Sequence, residues 1–367
     1  MTVAGPAGGQ RDTPRDKPRR GRVKCVVWDL DNTLWDGVLL EDGQVVPRPG
    51  AVEVIRTLDA RGILQSVASR NDHDAAMEQL ERFGLAEYFL YPRITWNPKS
   101  DAVAEIAKAL NIGLDAVAFV DDQPFELEEV AFRHPQVLCV PAAEIESATA
   151  GWEEFQPRFI TDESRRRRQL YRNDIRRDEA EEESRAAGED FLATLDMVFT
   201  IAPAAEEDLR RAEELTVRTN QLNSTGRTYS YEDLRALCES PDHLVLVAEL
   251  QDRFGPYGKI GLALVDTGGP VWVLRLLLMS CRVMSRGVGA VLLHHVMALA
   301  RDHGARLRAE FVETGRNRAM FVTYRFAGFR EVGEDGGATL LEADLQNVPP
   351  PPGHLTVVAG GPIRSPK

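Results

Sequence analysis

Two aspartates stand one residue apart where an apolar run stops. Val23 to Leu30 is nearly all apolar, and Asp29 and Asp31 close it in Asp29-Leu30-Asp31-Asn32-Thr33-Leu34. Carboxylates at a buried strand end are costly unless a cation or a hydrogen-bond network compensates them, and a strand end aimed into a cleft leaves room for a magnesium ion. The roles of the pair can divide: Asp29 attacks phosphorus to form an aspartyl-phosphate, while Asp31 protonates the leaving oxygen and later activates water. Three further segments supply what such chemistry needs. Ser69, with Arg70 beside it, follows a second apolar run and offers a hydroxyl and backbone N–H groups at a helix start, suited to phosphate oxygens. Lys99, in Asn97-Pro98-Lys99-Ser100 before a helix, adds a cation that neutralises charge developing on a phosphoryl group. Asp121 and Asp122, after Phe119-Val120, complete an acidic set able to hold a hard cation through oxygen ligands. Thr33 joins Ser69, Arg70 and Lys99 as a candidate phosphate-binding residue. Each segment has a plainer reading, with Ser69 as a helix cap, Lys99 as a surface charge and Asp121-Asp122 as a turn. Four of them in order outweigh it.

The elements that must position these residues are short apolar runs alternating with amphipathic stretches. Val23–Leu30, Ile63–Ala68, Ala116–Val120 and Val137–Val140 read as buried parallel strands; Ala51–Ala60, Asp72–Phe83, Ser100–Leu110 and Phe125–Phe132 read as helices. That alternation implies an open α/β sheet, whose ligands sit beyond the carboxyl ends of its strands, where the polar residues fall. Trp35 to Pro47 reads as a small hairpin flap, so the site is uncapped and suits a bulky substrate.

The expected organisation has five parts: a disordered arm over residues 1–22, a phosphoryl-transfer domain over 23–150, a charged helical linker over 151–190, a second α/β domain over 191–347 and a flexible Pro-rich tail over 348–367. In the second domain, strands are expected near Met197–Ile201, Leu244–Leu250, Lys259–Asp266 and Val271–Met279, and helices at Glu206–Thr219, Tyr231–Cys238, Val288–Asp302 and Arg318–Phe326. A chain of 367 residues with 28% charged positions is a globular protein of two cores. No apolar run reaches a membrane-spanning length and no apolar signal segment opens the chain, so the expectation is a cytoplasmic protein with no membrane partner. The net charge of −13 argues against nucleic acid. The four cysteines lie far apart without metal-ligand spacing, as reduced thiols would.

The ordered set DLDNTLW, the Ser69 segment, Lys99 and VDD resembles the haloacid-dehalogenase superfamily over roughly residues 23–145. The resemblance implies a Rossmann-like parallel sheet flanked by helices, Asp29 as nucleophile, Asp31 as acid/base, Ser69 and Lys99 as phosphate ligands, and Mg2+ held by Asp29, Asp121, Asp122 and the backbone carbonyl of Asp31.

In the second half, Ser280 to Gly289 (SCRVMSRGVG) reads as a strand leaving into a Gly-containing turn that opens a helix, a place for a pantetheine or pyrophosphate group. Arg282, Arg286, Gly287 and Gly289 are its candidate binding residues, and Asn220 and Asn223 either line a polar site or act in turns. Residues 317–329 resemble the end of GCN5-like (GNAT) acetyltransferases, though Met284 replaces a residue those enzymes use. KCVVWDLDNTLWDGVLLEDG, FVDDQPFELEEV, RTNQLNST and SCRV together resemble the FkbH-like glyceryl transferase/phosphatases of polyketide assembly. That resemblance implies capture of the glyceryl group of D-1,3-bisphosphoglycerate, dephosphorylation, and delivery as a thioester to the phosphopantetheine arm of an acyl carrier protein. Cys281, beside Arg282 whose charge would favour a thiolate, is the candidate acyl-carrying nucleophile; Cys25 lies deeper on its strand. The Arg-rich linker could dock an acidic carrier, although an exposed charge run is usually only a solvated face. Rival readings are a phosphatase fused to an acetyl-CoA-dependent N-acetyltransferase, or to a non-catalytic docking module.

Overall fold

Val26, Val27 and Trp28 are wholly buried, on both faces of their strand, as the continuous apolar run predicts. The computed structural model describes residues 22–187 and 190–360. β1 (Cys25–Trp28) is the centre of a five-stranded parallel sheet with β2 (Leu64–Ser69), β3 (Arg93–Ile94), β4 (Val117–Asp121) and β5 (Leu138–Pro141), in the order β3-β2-β1-β4-β5. Both neighbours of β1 pair in parallel and in register, so Trp28 lies level with Val67 and Val120. Asp29, Ser69 and Asp121 therefore emerge together at one end. Helices α1 (Pro49–Ala60), α2 (His73–Arg82), α3 (Lys99–Ala109) and α4 (Pro124–Arg133) flank the sheet. Two apolar clusters form the core of this unit, one around Trp28, Leu34 and Ile55, the other around Val27, Ile106 and Phe119. The flap is a hairpin of Trp35–Asp36 against Val46–Pro47.

α5 (Arg167–Ala187) leads to a second sheet of eight strands: β6 (Met197–Pro203), β7 (His243–Asp252), β8 (Gly255–Asp266), β9 (Val271–Met279), β10 (Arg306–Phe311), β11 (Arg330–Asp335), β12 (Ala338–Glu342) and β13 (Leu355–Ala359), in the order β11-β12-β10-β9-β8-β7-β6-β13. Most pairs are antiparallel, but β9–β10 and β6–β13 are parallel, which makes the sheet mixed. α6 (Leu209–Arg218) and α7 (Tyr231–Glu239) pack around Leu234 and Leu262, and α8 (Val288–Asp302) and α9 (Arg318–Phe326) belong to the larger cluster around Leu292 and Tyr324. The molecule is thus an α/β protein with a Rossmann-like parallel sheet followed by a mixed α/β unit.

Two expectations change. Within the expected tail, Leu355–Ala359 adds to β6 as an edge strand, with Leu355 buried, because the exposed row of β6 backbone groups offers pairing that the proline run upstream does not prevent; residues 361–367 lie outside the described residues. The charges of the linker are not a solvated face either. Arg168 binds Asp59 and Glu87 of the first unit, and Arg177 binds Asp252 of the second. The expected disordered arm, residues 1–22, lies outside the described residues except for Arg22.

Candidate active site

The chain turns sharply after β1: Leu30 O accepts the N–H groups of Thr33 and Leu34, and Asn32 takes a left-handed φ of 53°. An asparagine tolerates that conformation better than most residues. The turn brings Thr33 back beneath Asp29, where its hydroxyl accepts the Asp122 N–H at 3.0 Å. Lys99 starts α3 after Pro98, and its ammonium reaches both Asp29 Oδ1 at 2.8 Å and Asp121 Oδ2 at 2.7 Å. Carboxylate oxygens of Asp29, Asp121 and Asp122 all lie within 4.8 Å of one another. Three carboxylates against one ammonium leave a formal charge of −2 in a largely buried pocket, which one hard divalent cation would neutralise through oxygen ligands. The electrostatics carry the same imbalance. Burial, then the Asp29 charge, pushes the Asp121 carboxyl up to about 6 against the pull of Lys99. Asp122 is raised for the same two reasons. Burial alone would lower Lys99, but Asp29 and Asp121 raise it.

Asp31 occupies a separate setting. Its Oδ1 accepts from Trp35 Nε1 at 2.8 Å and from the Leu39 N–H at 3.1 Å, and its Oδ2 accepts from Asn71 Nδ2 at 3.0 Å. Burial still raises it from the ordinary aspartate value despite these bonds. The Asp31 side chain is therefore not part of the acidic cluster, and as a metal ligand only its backbone carbonyl remains a candidate. Being turned to the flap, it suits proton transfer instead. Trp35 and Asn71 are the residues that sequence reasoning missed. An aromatic four residues after an aspartate reads as core, and Asn71 in the turn before α2 reads as a cap. Ser69 is buried at the end of β2, and Arg70 beside it pairs with the buried Glu126 at 3.0 Å.

The candidate residues of the second half do not join this site. Cys281 neighbours Lys24, which precedes β1, whereas Asp29 follows it; five residues of extended chain separate the two by roughly 16 Å. Burial raises the Cys281 thiol, and the opposing cation is Lys24 rather than Arg282. The Arg282 guanidinium is turned to Tyr257 O at 2.6 Å and towards Asp174, so it does not provide the expected thiolate. Arg286 is buried against Glu181 and the ring of Phe191, not turned to the start of α8. Gly287 caps that helix with φ 72°, and a Cβ on Gly289 would stand 3.3 Å from Met279, so close packing accounts for this glycine. Asn223 is wholly buried and closes a turn, accepting from the N–H groups of Thr225 and Gly226. It is no lining residue. Asn220 lines the cleft between the two units.

The segment holding Asn223 fills a gap. β9 and β10 pair only from Val271 to Leu274, and beyond that point the backbone groups of β9 are taken by the chain itself. Met279 N donates to Leu222 O, Ser224 N donates to Leu277 O, and Val312 N donates to Ser224 O.

Residues 37–129 match the family model of haloacid dehalogenase-like hydrolases. The amino-terminal unit carries a hydrolase domain of that type. The chain is similar to the phosphatase-domain-containing amino-terminal part of a Bacteroides fragilis protein, crystallised with Mg, at 28% identity and a TM-score of 0.34 over 38% of this chain; it spans 42% of the length of that structure. It is also similar to the PaiA N-acetyltransferase of Thermoplasma acidophilum in complex with coenzyme A (19% identity, TM-score 0.33, 40% of this chain and 98% of that one). A third similar structure is the ribosomal-protein-S18-alanine N-acetyltransferase of Escherichia coli (18% identity, TM-score 0.31, 39% and 90%). No curated protein matches the chain. Among the described residues, no helix is long and apolar enough to cross a membrane.

Proposed function

We propose that the amino-terminal unit is a phosphatase in which Asp29 is the nucleophile and Asp31 the acid/base. The observation that carries this is the separation of the two carboxylates: Asp29 is held by Lys99 within an acidic cluster, while Asp31, two residues on, is held apart by Trp35, Leu39 and Asn71. Asp29 Oδ attacks phosphorus; the Oδ–P bond forms as the ester P–O bond breaks, and the leaving oxygen takes the proton of Asp31. Asp31, now ionised, accepts a proton from the water that hydrolyses the aspartyl-phosphate. Burial keeps Asp31 protonated to higher pH than an exposed aspartate, as the first step requires. Lys99 and Ser69 offset charge on the phosphoryl oxygens. Magnesium fits the donor set of Asp29, Asp121, Asp122 and the Asp31 carbonyl, and when bound it would supply further charge neutralisation there.

The fuller reading is a glyceryl transferase/phosphatase of the FkbH-like kind, acting in the cytoplasm on D-1,3-bisphosphoglycerate and passing glyceryl to the phosphopantetheine thiol of an acyl carrier protein. The sequence resemblance supports it, and so does an uncapped site with Trp96 and Phe125 exposed close in sequence to Lys99 and Asp122. The competing N-acetyltransferase reading is weakened by the filled gap beside β9, where an extended acyl carrier would find no free backbone groups. Incubation with 1,3-bisphosphoglycerate, Mg2+ and a holo carrier protein tests the reading by intact-protein mass spectrometry. A glyceryl mass on the carrier is expected, and an unmodified carrier defeats the transfer. Asp29→Asn should abolish phosphate release in parallel.

A further inference from the structure

The amino ends of the parallel strands, opposite the catalytic end, face a cavity between the two units that the phosphatase chemistry does not use. Its larger part holds about 400 Å³. A smaller recess of about 80 Å³ adjoins it, sharing Lys24 and Arg218. The recess is lined by five cations, Lys24, Arg167, Arg211, Arg218 and Arg282, against the single acid Glu163, and the Cys281 thiol is part of its wall. The nearby acids, Glu214, Asp174 and Asp115, do not fully balance that excess. Glu214 binds Arg167 and, at 2.8 Å, Arg211, but lies 3.9 Å from Arg218. Asp174 stands 3.7 Å from Arg282 Nη1, beyond hydrogen-bond distance, and that nitrogen has no hydrogen-bond partner although the side chain is only 10% exposed. Lys24 donates to a carbonyl, Arg218 O, at 2.8 Å.

Cations this crowded in a buried place are costly unless an anion shares it. Burial, with neighbouring arginines, pushes Lys24 down to about 8 and Arg218 down to about 9. At roughly 30 Å³ per water, the recess has room for a group the size of two or three waters, not for an organic ligand. Guanidinium forks match oxyanion geometry, and several of them favour a doubly charged one.

We infer that this interdomain recess is a binding site for a phosphate group, held by Lys24, Arg218 and Arg282 against the Cys281 thiol, with any organic remainder of the ligand in the larger cavity. The site stands on its own residues, whether or not the glyceryl-transfer reading holds; under that reading it gives the acyl phosphate a place separate from Asp29.

Alkylation of Cys281 by iodoacetamide, followed by peptide mass spectrometry on the full chain, reads the recess directly. Inorganic phosphate at about nine times its Kd should slow that alkylation roughly tenfold, as nine-tenths occupancy requires, relative to chloride at equal ionic strength. Asp29→Asn should keep the protection, because the catalytic pocket is not its source. Arg282→Met and Lys24→Met should lose it; Lys24 contacts only a carbonyl through its ammonium, so its variant leaves the Glu214 ion pairs intact. Equal rates in phosphate and chloride, protection that vanishes in Asp29→Asn, or protection that survives both recess variants would each overturn the assignment.

Discussion

At the scale of single residues, the site divides labour by environment. Asp29, Asp31, Lys99 and Asp121 were legible in the sequence because an acid at the end of an apolar run, or a lysine opening a helix among acids, contradicts its local setting. Trp35 and Asn71 were not, because an aromatic in a hairpin and an amide before a helix satisfy theirs. Their bonds to Asp31 nevertheless have a measurable role. Trp35→Phe keeps an aromatic side chain, though a smaller one, but removes the Nε1–H donor at 2.8 Å, a bond to a charged group of the sort that contributes roughly 1.5–3 kcal/mol. That bond favours the ionised form, so its loss raises Asp31 further. Asp31 must be protonated to serve the leaving group, so the rate falls as pH rises through its pKa, and in Trp35→Phe that falling limb should move to higher pH. Phosphate release from a phosphomonoester, followed across pH, checks this; an unmoved limb would make Trp35 only a packing residue. Asp31→Asn should lose about 10²–10⁴-fold in kcat at pH values below that falling limb, and progressively less above it.

At the scale of elements, periodicity was a good guide to most of the buried strands and helices. β1, β2 and β4 lie within a residue or two of the apolar runs, and α8 and α9 fall on the expected ranges. What escaped was the two-residue β3, the inner strands β10 and β12, the solvent-facing β11, and β13 beyond a run of prolines, each fixed more by pairing with distant strands than by local preference. The Leu222–Ser224 segment is the sharpest instance. Its Asn223 suggests a polar site, yet Asn223 and Ser224 are buried and fill the place beside β9. Asn317, also wholly buried, locks the filler by donating to Asn223 O and to Val312 O, both at 2.9 Å. Asn317→Ala leaves the buried Asn223 carbonyl and the part-buried Val312 carbonyl short of a donor and should cost about 2–4 kcal/mol, visible in urea unfolding. Amide exchange at Ser224 and Met279 should quicken with it, while the amides of β1 keep their protection.

At the scale of the whole molecule, the charged linker read as solvent-exposed because charge density alone does not reveal a partner distant in sequence. The partners are there. Arg177, wholly buried, forks onto Asp252 at 2.8 and 2.9 Å and lies over the ring of Tyr257, fastening α5 to the second sheet. Arg168 fastens the same helix to α1 through Asp59. Glu214 on α6 ties in the start of α5, where Arg167 meets it together with Arg211. Burial would raise the Glu214 carboxyl, but Arg167, Arg211 and Arg218 outweigh it and hold the group well below the ordinary carboxylate range. A depressed carboxylate contributes stability that is fully present above its unfolded pKa, about 4.3, and is lost as pH falls below that value towards its folded one. Protonation would also leave three arginines facing one another without their counterion. Melting temperature should therefore drop steeply between about pH 5 and pH 3 in the native chain. Glu214→Gln should melt lower already at neutral pH, by an amount corresponding to roughly 3–5 kcal/mol for a broken buried pair, and should show a shallower fall below pH 5. A parallel acid profile in the two proteins would remove Glu214 as the acid-sensitive tie between the linker helix and the second unit.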